Sequence, residues 1–122
     1  MIPLLILLLA AVPAAAQRSG CGMGLGLEAM RGAEAPLRAG ATATSLLAGR
    51  EAARQAAGQL AEASRHLAGC GCRQAAEHLG EAARLAEENE GAAEVERIRR
   101  GLDRAGFSVR LARERLDRQG CS

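Results

Sequence analysis

The chain has 122 residues, a formal net charge of +2 and a single aromatic residue, Phe107. A charge this close to neutral argues against nucleic-acid binding, which needs a strongly basic surface to contact phosphates. One aromatic side chain also provides no series of stacking platforms for single-stranded bases. We therefore expect no nucleic-acid partner. The chain is also rich in alanine, which buries little apolar area. We therefore expect a thin core that needs covalent cross-links for stability.

The N-terminal residues resemble a targeting sequence rather than part of a fold. Met1 is followed by the apolar run "IPLLILLLAAVPAAA", which ends in the small residues Ala14, Ala15 and Ala16. The run is shorter than the roughly 20 apolar residues that span a bilayer, and its end fits signal-peptidase cleavage. We predict a cleaved signal peptide over 1–16, a mature chain that starts at Gln17, and an exported protein in the periplasm or outside the cell. No stable membrane span is expected after cleavage.

The mature chain begins with a glycine-rich segment, and helical patterns follow it. Residues 17–35 are expected to form a loosely structured lead-in, and residues 36–120 a helical domain. Pro36 suits the first turn of a helix, where its missing N–H costs nothing. From there to Leu67, small and apolar residues recur at steps of three and four, which predicts a helix. The stretch "GCGC" should then form a turn at 69–72.

A second helical pattern starts near Arg73 and continues to Gly120, but its apolar stripe changes phase between Ala86 and Val95. Nine residues correspond to half a turn of phase at about 100° per residue. The sequence therefore predicts an all-α fold. It is a long antiparallel helical hairpin, either continuous or broken near Gly91 into a three-helix bundle.

Four cysteines, an even number in an exported chain, predict disulfides. They are Cys21, Cys70, Cys72 and Cys121. A bond between Cys70 and Cys72 would be strained. If the chain folds back at Gly71, Cys21 and Cys121 face each other, which suggests a clasp between them. The turn cysteines could instead pair with these two or across a dimer.

A metal site is the alternative interpretation of the turn. Cys70 and Cys72 offer two sulfur ligands, His66 lies one helical turn before Cys70, and His78 follows near the facing helix. Such a Cys2His2 set would suit Zn(II), or Cu(I) through the thiolates. The spacing fits no standard zinc pattern. Disulfides without any cofactor are the favoured interpretation, Cu or Zn is the alternative, and free or redox-active thiols are the third.

The last helical stretch is rich in arginine. Pairs such as Glu96–Arg100, Arg99–Asp103 and Glu114–Arg118 stand four residues apart, which predicts a solvated face with salt bridges. A docking surface for an acidic partner or an anionic lipid is the alternative. No arrangement of catalytic residues stands out, so we expect no enzyme. We expect a small exported structural or interaction module that binds a protein partner or a second copy through its helical faces.

Overall fold

The computed structural model describes residues 20–121, which contain four α-helices and no strand. Helix α1 spans Met23–Ala41, α2 spans Leu46–Gly69, α3 spans Arg73–Glu88 and α4 spans Val95–Gln119. The all-α prediction is confirmed. The proposed signal peptide and its cleavage site lie outside the described residues.

Helix α1 corrects the prediction of a loosely structured lead-in. It begins at Met23, so Pro36 lies inside the helix and not in its first turn. The glycines that suggested a loop instead allow close helix packing. A Cβ on Gly26 would lie 3.1 Å from Leu67, and one on Gly32 would lie 3.0 Å from Gln59 Oε1. Because neighbouring side chains fill these places, the glycines are compatible with the helix.

The predicted helix from Pro36 to Leu67 is also interrupted, at residues 42–45. The Thr42 hydroxyl donates to the Arg38 carbonyl at 2.8 Å, and the N–H of Ala48 donates to the Ser45 hydroxyl at 3.2 Å. Ser45 is thus the N-cap of α2, a position that favours serine because its oxygen satisfies a free N–H group. The two contacts end one helix and start the next, which turns the expected single helix into a hairpin.

The predicted break near Gly91 and the turn at 69–72 are both confirmed. Helix α2 ends at Gly69 and α3 starts at Arg73, while residues 89–94 separate α3 from α4. Gly120 follows the last residue of α4 as expected. Because α1 and α2 form an additional hairpin, the described chain is a four-helix bundle rather than the two or three helices predicted.

The helices run alternately up and down, and each contacts its neighbours around the ring α1–α2–α3–α4. Helices α2 and α4 also touch across the bundle, whereas α1 and α3 do not. The core contains many alanines and few large side chains. Its largest fully buried side chains are Leu60, Leu67, Leu79, Ile98, Leu102 and Cys72. Small side chains let the helices approach closely, but each buries little apolar area.

The second hairpin repeats features of the first hairpin 49 residues further along the chain. Each disulfide also joins two cysteines that are 49 residues apart. The glycines with positive φ follow this spacing: Gly22, Gly71 and Gly120. So do two hydrogen bonds between the loops. Arg50 Nε donates to the Ala92 carbonyl at 2.8 Å, and Arg99 Nε donates to the Ala43 carbonyl at 2.6 Å. Each hairpin therefore holds the loop of the other in an equivalent way.

Candidate functional site

All four cysteines are paired, and both disulfides lie at one end of the bundle. Cys21 bonds to Cys70, with their Cα atoms 5.0 Å apart, and Cys72 bonds to Cys121, with theirs 4.0 Å apart. The first disulfide closes the α1–α2 hairpin and the second closes the α3–α4 hairpin. Cys70 and Cys72 are buried, and Cys21 and Cys121 are half-buried. The prediction of disulfides is confirmed.

The suggested clasp between Cys21 and Cys121 is wrong. It assumed one hairpin that turns at Gly71, in which the two ends of the chain meet far from the turn. The additional reversal at 42–45 brings the start of α1 back to the end of α2, and the reversal at 89–94 brings the end of α4 back to the start of α3. Each turn cysteine therefore pairs within its own hairpin. Pairing of the turn cysteines with Cys21 and Cys121 was the alternative that the sequence left open.

His66 lies on the α1 side of the disulfide end. Its Nε2 is 3.3 Å from a carboxylate oxygen of Glu62, one turn earlier on α2. Its ring also packs so close to Gly22 that a Cβ there would lie 2.9 Å from Nδ1. The side chain is 31% exposed. His66 is thus a boundary residue that packs against the start of α1.

His78 lies in a different groove, between α3 and α4. It lines a shallow cleft of about 330 Å³ together with Leu111, Glu114, Arg115, Arg118 and Gln119. Two arginines beside an imidazole make a poor environment for a cation. The structure therefore does not place His66 and His78 in one cluster.

A metal centre at the turn is not formed among residues 20–121, where no group of three or more His, Cys, Asp or Glu side chains could hold an ion. In a disulfide, Cys70 and Cys72 have no thiolate to offer, and a thiolate is the form that binds soft metals. Binding at this position would require reduction of both disulfides and a rearrangement that brings His66 and His78 together.

The clearest pKa shifts are found on exposed helix surfaces and not in a cleft. A hydrogen bond from Arg54 lowers the pKa of Glu51, with a further contribution from Gln55. A hydrogen bond from Arg84 lowers the pKa of Glu81, and the charge of Arg104 contributes less. Both are solvated ion pairs between neighbouring turns of one helix, which are typical of helix surfaces.

The ion pairs of α4 differ from those predicted. Glu96 pairs with Arg99 at 2.5 Å, and Arg113 reaches across to Glu34 on α1 at 2.7 Å. None of the three predicted i, i+4 pairs is formed within residues 20–121. Instead, one side of α4 carries exposed arginines without carboxylate partners in this part of the chain. They belong to a surface that we call the arginine stripe, made of Arg97, Arg100, Arg104, Phe107, Leu111, Arg115 and Arg118.

Comparison of the chain with protein-family models, curated proteins and solved structures finds no match. None of the helices in the described range 20–121 is both long enough and apolar enough to cross a membrane. We therefore infer the function from the disulfide end and the exposed helix faces of this chain.

The sequence indicated the cysteines as site residues but not the contacts at the opposite end of the bundle. Arg50 and Arg99 are half-buried, and each reaches the backbone of the other hairpin. Their positions, 49 residues apart like the paired cysteines, could have revealed the repeat. The signal was weak because few other identities accompany it in two alanine-rich halves.

Proposed function

We propose that this chain is an exported, non-enzymatic helical module whose fold is held by two disulfides and whose helix faces bind a partner. The observation that carries the proposal is the pairing of all four cysteines, one disulfide for each hairpin. Structural disulfides form and persist in oxidising compartments outside the cytoplasm. The apolar run at residues 2–16 supports the same localisation.

The chemistry of the described surface supports binding more than catalysis. The resolved pKa shifts belong to exposed Glu–Arg pairs, whereas catalytic acids and bases are commonly tuned by burial in a cleft. Within residues 20–121, three large apolar side chains are exposed, namely Leu25, Leu47 and Phe107. Side chains of this kind are common in the contact surfaces of interaction modules.

Export can be tested with the full chain carrying a C-terminal tag, produced in a bacterial host that is then fractionated. The protein should leave the cytoplasm, begin at Gln17 and contain no free thiol. The matched control lacks residues 2–16 and should stay in the cytoplasm with reduced cysteines. A full chain that keeps Met1 and remains reduced in the cytoplasm would contradict the proposal.

A further inference from the structure

The arginine stripe differs in charge from the rest of the bundle. Helix α4 carries eight arginines against four acidic residues, whereas α3 and the loop 89–94 together carry two arginines against six acidic residues. Along the stripe the residues step by three and four, so they line one side of the helix. Its five arginines cover about 32 Å at 1.5 Å per residue. Positive charge is thus concentrated along one edge of the molecule.

The arginines of the stripe are available to bind an external anion. Arg97, Arg100, Arg104 and Arg118 are exposed and form no ion pair within residues 20–121. The charge of Arg104 is the smallest of the contributions to the pKa of Glu81, and Glu81 is already bound by Arg84 at 2.6 Å. These four arginines therefore have no carboxylate partner within residues 20–121.

Two apolar side chains lie in the middle of this charged line. Phe107 is 55% exposed, and Leu111, one turn further on, is half-buried. The Arg110 guanidinium lies 5.7 Å from the centroid of the Phe107 ring, a distance at which a cation is attracted to the ring face. An exposed aromatic ring with an arginine beside it combines an apolar anchor with electrostatic attraction.

We propose that the arginine stripe docks the bundle on the surface of an anionic lipid bilayer, with Phe107 inserted at the headgroup level. Clustered basic residues bind anionic leaflets, and stable attachment generally needs a second, apolar contribution. A helical protein partner would instead need a continuous apolar seam, and only two of the seven stripe positions are apolar. A bilayer needs no groove, because it can contact exposed side chains along the length of a helix. This inference rests on the proposed function and names an anionic bilayer as the partner of the interaction module.

The experiment measures sedimentation of the purified, oxidised protein with vesicles. Vesicles of equal parts phosphatidylglycerol and phosphatidylcholine should bind the protein, and binding should weaken as salt screens the charges. Vesicles of phosphatidylcholine alone should not bind it. The double variant R100Q/R104Q should bind about 30-fold more weakly, at about fivefold per arginine. The matched control R31Q/R38Q, with the same charge change on exposed positions of α1, should bind like the unmodified protein.

A second variant reports insertion directly. The chain contains no tryptophan, so Phe107→Trp introduces a single fluorescent reporter whose emission should shift to the blue when anionic vesicles are added. Leu47→Trp is the control, because Leu47 is 80% exposed at the start of α2, and its emission should not change.

Three results would overturn the proposal: no binding to anionic vesicles, equal weakening by both double variants, or an unshifted reporter at position 107. Binding to polyglutamate but not to vesicles, lost in R100Q/R104Q, would assign the stripe to an acidic protein instead. Because the assay uses purified protein, its failure leaves the export proposal standing, and a failure of export does not affect the vesicle result.

Discussion

Each disulfide should contribute an equal share of stability, because the two close loops of the same length. Replacing Cys21 and Cys70 by serine opens one loop, and replacing Cys72 and Cys121 opens the other. The paired residues are 49 positions apart in both cases. In the chain-entropy model, a loop of this length restricts the unfolded chain by about 14 cal/mol/K, or about 4 kcal/mol at room temperature.

The two losses should also add, since the loops 21–70 and 72–121 share no residue. Removing both disulfides should cost about 8 kcal/mol, which is comparable with the whole stability of a small domain. The variant without cysteines should therefore be largely unfolded at room temperature. Either double variant should remain folded, with a lower midpoint of unfolding.

The assay is urea unfolding followed by far-UV circular dichroism, with thiol titration to confirm that each double variant keeps one disulfide. A control variant, C21S/C121S, leaves Cys70 and Cys72, which are too close in sequence to pair without strain. It should therefore contain two free thiols and be as unstable as the variant without cysteines. A loss for one hairpin below half that for the other would refute the loop-entropy argument. A C21S/C121S variant that is clearly more stable than the variant without cysteines would refute the pairing.

Three further predictions concern the helix contacts. Gly40→Ala should destabilise the protein by roughly 1–3 kcal/mol in urea unfolding, because its Cβ would lie 2.6 Å from Leu102 Cγ and overpack the core. Gly58→Ala, which meets no atom within 4 Å, should stabilise it by up to about 1 kcal/mol. A Gly58→Ala variant that is less stable than Gly40→Ala would contradict this account of the packing. Arg50→Gln and Arg99→Gln should each cost roughly 1–2 kcal/mol through the lost charged hydrogen bond, and unchanged stability in both would show that the loop contacts contribute nothing. Because Arg54 lowers the pKa of Glu51, this pair should stabilise the fold near neutral pH and lose that contribution as the pH falls through the carboxyl pKa in the folded state. In an NMR titration Arg54→Gln should raise the Glu51 pKa toward its usual value, and an identical pKa in both proteins would contradict this assignment.

The parts of the fold that could be predicted are those with a local signal. The three-four spacing of apolar residues identified helices, and the glycines and cysteines at 69–72 identified a turn. The change of phase between Ala86 and Val95 identified the break near Gly91. Each of these depends on residues close together in the sequence.

The parts that could not be predicted depend on contacts between distant segments. Gly26 and Gly32 indicated a loose segment, because a helix gains nothing from glycine until another helix packs against it. The reversal at 42–45 is signalled only by Thr42 and Ser45, which suit a cap but also occur within helices. Because that reversal was not predicted, the predicted number of helices was too small and the suggested pairing of Cys21 with Cys121 was wrong.

The most direct test of the account is the disulfide map of the protein recovered from the exported fraction, digested with trypsin without reduction. Arginines flank the cysteines so that Cys70 and Cys72 remain on one peptide, with Cys21 and Cys121 on two others. We expect one species of three linked peptides without free thiol, in which fragmentation around Gly71 assigns Cys21 to Cys70 and Cys121 to Cys72. A peptide containing Cys21 joined directly to the one containing Cys121, or cysteines recovered as free thiols, would contradict it.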